Sequence, residues 1–255
     1  MELLYFLILG LVQGITEFLP VSSSGHLLLI GRIIGYTPSI AFEITAHLGT
    51  LLAVVTAYRG TLKERISKPF SKPSLILIVT TLVTAAIIFV FEKPIKATFD
   101  GSVLPFTFLL SAALIVISSS VKPKAGKKIG FFEGFVIGVT QAAAALPGLS
   151  RSGTTISAAR MLKVGSEESA DFSFLLSIPI IVVSAVGEFV LHTDAFLGEN
   201  LLGLAIGFAA SFVSGLLAIK LALRCIRGGG WQIFAVYLAA LGIFMFINDF
   251  FLHVI

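Results

Sequence analysis

Charge is what this 255-residue chain most conspicuously lacks: Asp, Glu, Lys and Arg together make up 13% of it, against about 25% in an ordinary soluble domain. That scarcity excludes a water-facing globular surface. Cysteine is nearly absent too. The single Cys225 rules out an intramolecular disulfide and reads as an inert packing residue. The formal net charge is only +4, and its cations sit in short loops. This argues for membrane orientation and against nucleic-acid binding. The chain begins Met-Glu with no basic stretch ahead of its first apolar run, so a cleaved signal peptide is not expected.

Apolar residues fill the space that charge leaves. They account for 56% of the chain, with a mean hydropathy of +1.02. Runs at 41–58, 75–91, 104–121, 172–191, 201–223 and 233–251 each approach the roughly 20 residues that a membrane-crossing helix needs. The composition therefore predicts an all-α polytopic membrane protein with about six transmembrane helices. Basic residues concentrate at 59–72 (Arg59, Lys63, Arg65, Lys68 and Lys72), at 122–128 (Lys122, Lys124, Lys127 and Lys128) and at Arg224 and Arg227. The tendency of positive loops to stay inside places all three in the cytoplasm. The connection around Asp194 and Glu199 has no Lys or Arg and suits the outer side.

With those loops fixed, residues 129–162 start and end inside, and residues 1–34 start and end outside. A first helix at about 3–18 would be about 24 Å long, short of the roughly 30 Å hydrocarbon core. Each segment is thus expected to enter the membrane and return as a re-entrant helix pair. One pair plus three spans makes up residues 1–128 and again residues 129–255, and three is odd, so the halves are expected to be inverted repeats. The sequence carries the same signal. Residues 13–26 read QGITEFLPVSSSGH and residues 141–155 read QAAAALPGLSRSGTT; Gln13, Ser22 and Gly25 pair with Gln141, Ser150 and Gly153 at one offset (141 − 13, 150 − 22 and 153 − 25 all equal 128). Irregular backbone at membrane depth is tolerated only where it is buried in protein or lines a wet cavity, so both breaks are expected to face one polar cavity.

The copies differ where chemistry is possible. Glu17, Ser23 and His26 in the first stand opposite Ala145, Arg151 and Thr154 in the second. Gln13 and Glu17 share a helix face, and a carboxylate inside a membrane marks a functional site unless it is merely a structural partner. Ser22, Ser23, Ser24 and Gly25 open a helix whose free N–H groups and hydroxyls would cradle an anion; the plainer alternative is N-capping and close packing. Ser150, Ser152, Gly153 and Thr155 repeat that arrangement around Arg151, whose fork suits phosphate oxygens or simply neutralises Glu17. His47 reads as a satisfied core histidine, while His192 and His253 read as interfacial. Gly228-Gly229-Gly230 lacks the Lys-Ser/Thr of a phosphate-binding loop.

Gln13-x-x-x-Glu17 together with the stretches PVSSSGH at 20–26 and PGLSRSGTT at 147–155 resembles the undecaprenyl pyrophosphate phosphatases, bacterial membrane enzymes linked to bacitracin resistance. The resemblance spans the chain in length and layout. It implies hydrolysis of undecaprenyl diphosphate to the monophosphate and inorganic phosphate, which recycles the lipid carrier of cell-wall synthesis. It implies Glu17 as general base, Ser23 as nucleophile (unless a water attacks), His26 as acid or as support for Ser23, and Arg151 as phosphate clamp. Gln13, Ser22, Ser24, Gly25, Ser150, Ser152, Gly153 and Thr155 would line the phosphate site. A divalent cation, Mg2+ or Ca2+, is expected to help, with Glu17 as its ligand, although the amide of Gln13 stands where members of the family carry either Gln or a second carboxylate. The expected partners are the polyprenyl diphosphate and membrane lipid, with a homodimer in view. The expected location is the bacterial cytoplasmic membrane, with the site opening to the outer side. A lipid-phosphate flippase or anion transporter built on the inverted repeat is the alternative.

Overall fold

The computed structural model describes residues 2–252 and 254, and among these it contains helices and no strand; His253 lies outside the described residues. In chain order the helices are α1 (Glu2–Phe18), α2 (Ser23–Ile34), α3 (Ile40–Ala57), α4 (Arg59–Ser67), α5 (Lys72–Val90), α6 (Glu92–Ala97), α7 (Leu104–Ser119), α8 (Phe131–Ala143), α9 (Arg151–Met161), α10 (Ser166–Leu191), α11 (Leu201–Arg227) and α12 (Ile233–Ile247). Five are long and apolar enough to cross a membrane: α3, α5, α10, α11, and α12 with the turn that carries it on to Leu252. A sixth span arises if α6 and its following turn are taken with α7, a pair bent by 110°. The chain is an all-α, multi-pass membrane protein.

Beside an apolar core, large apolar side chains also cover the outside and polar ones are buried. Phe89 and Val90 at the end of α5 are 81% and 72% exposed, while Gln13 and Thr84 are fully buried. Lipid accepts the outward apolar side chains, and the interior must satisfy every polar group itself. Threonines do much of this by bonding back along their own helices. Thr84 Oγ1 donates to the Thr80 carbonyl (3.0 Å) and also crosses to the Gly138 carbonyl at 2.9 Å.

Small residues set the helix spacing. Gly203, Gly207, Ser211 and Gly215 recur every four residues along α11, and α1 and α3 both pack against this helix. A Cβ on Gly10 would lie 2.6 Å from the Gly207 carbonyl, and one on Gly49 would lie 2.5 Å from that of Phe208. Lipid tails are as apolar as leucine, so close backbone approach supplies the dispersion contacts that hold such helices together. Elsewhere α5 packs on α8 and α10, α7 on α12 and α9, and α3 on α10. The segment expected as the basic loop 59–72 is mostly α4, a polar surface helix with no buried residue. Its Leu, Lys, Glu and Arg are good helix formers, so local propensity rather than burial forms it.

The two breaks expected from the motifs are present. Helix α1 ends at Phe18, and the chain turns through Leu19–Ser22 before α2 begins. Ser22 adopts φ +72°, rare for a residue with a Cβ, and its hydroxyl accepts the Gly25 N–H at 3.4 Å. Helix α8 ends at Ala143 and α9 starts at Arg151, capped by Ser150, which accepts the Gly153 N–H at 3.0 Å.

Candidate active site

The two breaks touch. A Cβ on Gly25 would lie 2.8 Å from Gly148 Cα, and one on Gly153 would lie 3.4 Å from Pro20 Cβ. Ser152 Oγ donates to the Leu19 carbonyl at 3.2 Å, bonding the second break to the first. The second loop is anchored from α7. Thr107 Oγ1 donates to the Pro147 carbonyl at 2.7 Å, Ser111 Oγ donates to that of Gly148 at 3.3 Å, and the Ser150 N–H donates to Ser111 Oγ at 3.0 Å. Gly148 has φ +85° and the Thr107 hydroxyl where a side chain would go, so glycine is required there twice over.

Glu17 sits where the breaks meet, with its side chain 3% exposed. Its Oε2 accepts from Ser23 Oγ at 2.6 Å and from Gln13 Nε2 at 3.0 Å. Its Oε1 accepts from Arg151 Nη2, so the guanidinium of the second half pairs with the carboxylate of the first. That pairing occupies one of the five N–H donors of Arg151, whose side chain is 20% exposed. A carboxylate that accepts the hydroxyl of a neighbouring serine and is held by a guanidinium is placed to accept that serine's proton. Ser23 and Arg151 are the first residues of α2 and α9, so both short helices aim their positive ends at the same place.

The remaining expected site residues divide. Ser24 is half-buried beside Ser22, their hydroxyl oxygens 3.4 Å apart. Ser150 and Ser152 are buried with their hydroxyls 3.4 Å apart. Thr155 Oγ1 bonds back to the Arg151 carbonyl (2.9 Å) and lies 2.7 Å from Ser173 Oγ, which makes it a brace for α9 and α10. His26 turns away from Ser23. Its Nδ1 lies 2.7 Å from the Ser22 carbonyl and its Nε2 lies 2.7 Å from the Tyr237 hydroxyl. A carbonyl only accepts, so Nδ1 carries hydrogen and the neutral ring takes the tyrosine proton at Nε2. His26 thus ties the turn at Ser22 to α12. Gln141, the counterpart of Gln13, donates to Thr84 Oγ1 at 2.9 Å, away from Glu17.

Two participants were not legible as such. His47, on α3, brings Nε2 within 3.9 Å of Glu17 Oε2. Tyr237, on α12, is 211 positions from the histidine it bonds. Neither lies in a motif, and only helix packing brings them in.

The comparisons with known proteins agree in direction. The sequence model of a family described as "Bacitracin resistance protein BacA" matches residues 6–244. The chain belongs to the BacA family. Its relatives include an "Undecaprenyl-diphosphatase" of Carboxydothermus hydrogenoformans, 38% identical over 93% of this chain and 94% of that protein. Proteins of the same name from Methanobrevibacter smithii (33% identical, 98% of each chain) and Bacteroides fragilis (36% identical, 95% of this chain and 97% of that one) are also similar.

In this BacA-family chain the donors at the site do not fit a resident divalent cation. Mg2+ takes six oxygen ligands and Ca2+ six to eight, and even Mg2+, which keeps several waters, uses one or two carboxylates together with substrate phosphate. This site brings one carboxylate, both of whose oxygens already accept hydrogen bonds, one of them from a guanidinium. Among the described residues no group of three or more His, Cys, Asp or Glu side chains is arranged to hold a metal ion. The expected metal-ligand role of Glu17 therefore has no support in the donor chemistry, and no step below passes through a protein-bound metal.

Proposed function

We propose that the chain hydrolyses undecaprenyl diphosphate to undecaprenyl phosphate and inorganic phosphate in a cytoplasmic membrane, renewing the lipid carrier of cell-wall synthesis and conferring resistance to bacitracin. The observation that carries this reading is the continuous contact Ser23–Glu17–Arg151, formed across the two breaks at the N-termini of two short helices. The names of the relatives agree with it, and they give no support to a flippase or anion transporter. An anion carrier also has no use for a serine bonded to a buried carboxylate.

In this reading Arg151 and the free N–H groups of α2 and α9 hold the terminal phosphoryl group and the charge that spreads over its oxygens. Ser23 Oγ attacks that phosphorus and its proton passes to Glu17 Oε2. A new P–O bond forms to serine while the bond from phosphorus to the bridging oxygen breaks. Undecaprenyl phosphate departs as an anion; a phosphate monoester with a second pKa of about 6 needs no acid to leave. Water then attacks the phosphoserine phosphorus and gives a proton to Glu17 as the bond from phosphorus to Ser23 Oγ breaks. Glu17 returns that proton to Ser23 Oγ, and inorganic phosphate is freed. His26, bound at both nitrogens, acts by fixing the turn that presents Ser23. A divalent cation, where one assists, arrives on the oxygens of the diphosphate itself.

The halves 1–128 and 129–255 are read as inverted repeats, with the site open to the outer side. The pattern of helix pairs supports this. Matching α1, α3, α5 and α7 with α8, α10, α11 and α12 maps the α1–α11 pair onto α8–α5 and α3–α11 onto α10–α5. The same matching maps α3–α10 and α7–α12 onto themselves. Both motifs come from one chain, so the chemistry requires no second copy.

The test is phosphate release from a prenyl diphosphate by the purified protein in detergent. Glu17→Ala and Arg151→Ala should each reduce turnover to background while eluting as the folded protein does. Near-wild-type turnover in either sinks the assignment. Ser23→Ala discriminates further, because substantial residual activity would make water the first nucleophile.

A further inference from the structure

His47 belongs to neither motif, yet it is the second ionisable group at the carboxylate of Glu17. Its Nδ1 lies 2.8 Å from the Glu43 carbonyl, which can only accept, so Nδ1 carries the hydrogen and the neutral ring keeps a lone pair on Nε2. That nitrogen is the atom 3.9 Å from Glu17 Oε2, the oxygen to which Ser23 donates. The side chain of His47 is 36% exposed where that of Glu17 is 3% exposed. The imidazole is therefore the more exposed member of the pair.

We propose that His47 is a positioning and relay residue, which takes from Glu17 the proton received from Ser23 and passes it to water. This rests on the reading of Glu17 as the general base. Each turnover asks Glu17 to accept a proton twice, once from Ser23 and once from the attacking water. Between the two it must become a carboxylate again, and Arg151 already holds its other oxygen. In the relay the Glu17 Oε2–H bond breaks and a His47 Nε2–H bond forms, with one water carrying the proton across the 3.9 Å between them. The Nε2 proton then leaves to solvent, and no other reactant is consumed.

The surroundings fit the hand-off. Glu43 lies one turn earlier on the same helix, and Glu188 of α10 is within electrostatic reach of Glu43. Glu188 Oε2 in turn lies 3.5 Å from His192 Nε2, so acidic and histidine side chains continue from Glu17 toward the end of α10. The α11 helix, packed on the same stretch of α3, brings Ser211 and Phe208 to Gly49. The charged or titratable groups that bear on His47 are thus Glu17 directly, Arg151 through Glu17, and Glu43 and Glu188 from the outer end. A protonated His47 has no lone pair to offer, so only the neutral ring can serve the relay.

The experiment measures kcat and KM for a prenyl diphosphate against pH, from about 5 to 9, on the full-length protein in detergent. It compares wild type, His47→Gln and His47→Asn. Gln keeps a polar atom near the Nε2 position but cannot take up and release a proton, and Asn keeps a donor for the Glu43 carbonyl but does not reach Glu17. Both variants should lose kcat by about tenfold above neutral pH, less than the 10²–10⁴ of a direct proton-transfer group. KM should stay within about twofold, and the acid limb of the kcat profile should lose one ionisation. Wild-type kcat and an unchanged profile in either folded variant would overturn the relay; if one variant elutes aggregated, the other decides. Failure of the underlying reading looks different: wild type then releases no phosphate, or Glu17→Ala keeps its turnover.

Discussion

Gly25→Ala tests whether the two halves meet as closely as the site requires. The added methyl would sit 2.7 Å from Phe108 Cζ and 2.8 Å from Gly148 Cα, where carbon atoms prefer about 3.5–4.0 Å. Phe108 is fully buried and has nowhere to swing. Gly148 cannot retreat readily, because Thr107 and Ser111 hold the carbonyls on either side of its Cα. The start of α2 must therefore move by about 1 Å. Overpacking of this kind costs about 1–3 kcal/mol, and at about 2–4 °C per kcal/mol for a chain of this size the midpoint of thermal unfolding should fall by roughly 2–12 °C. The catalytic consequence is larger. Ser23 moves with α2, and a 1 Å misplacement costs about 10²-fold in rate. Phosphate release and unfolding should be measured beside Gly187→Ala, where an added methyl meets open space and helix propensity favours alanine by up to about 1 kcal/mol. Wild-type turnover and midpoint in Gly25→Ala would refute the claim that the breaks are in contact.

Tyr237→Phe leaves the buried Nε2 of His26 without its donor, so stability should fall by about 1–3 kcal/mol; an unchanged unfolding midpoint would refute the tie between α2 and α12. Thr107→Val keeps the shape but strands the buried Pro147 carbonyl, with a similar loss on the same assay. Lys128→Ala should change the midpoint little, because its 2.6 Å pair with Glu168 is mostly exposed and such pairs contribute about 0–1 kcal/mol. Cysteine introduced at Phe196 or at Ala125, in a chain with Cys225→Ala, should react with an impermeant reagent from outside and from inside respectively. The reverse pattern would overturn the proposed orientation.

How much was legible before the fold was known depends on the range of the interaction. Membrane spans were legible because hydropathy is a sum over neighbours: the run expected at 41–58 is the helix Ile40–Ala57, and that at 104–121 is Leu104–Ser119. Capping at 22–25, the alternative to an anion cradle there, is legible because a cap reaches only three residues ahead, and the repeat at Ser150 does the same. Helix α4 is less legible, because its three cations Arg59, Lys63 and Arg65 mark a loop in the charge pattern, although its residues favour a helix on their own. From the sequence, His47 reads as a satisfied core histidine. Part of that is right, since its Nδ1 is satisfied within α3, but its other nitrogen faces a residue 30 positions earlier (47 − 17 = 30).

The sequence alone determined the class of the protein, the places where its helices break, and the residue types offered at those breaks. These follow from side-chain solvation and from local backbone chemistry, which neighbouring residues settle. Tertiary structure alone decided the partners: Arg151 on Glu17, His26 turned to Tyr237, His47 beside the carboxylate. Those distances depend on how α1, α3, α9 and α12 pack, and the packing depends on where glycines and serines let backbones close up. No motif records that, because each contact joins segments whose separation in sequence says nothing of their separation in space.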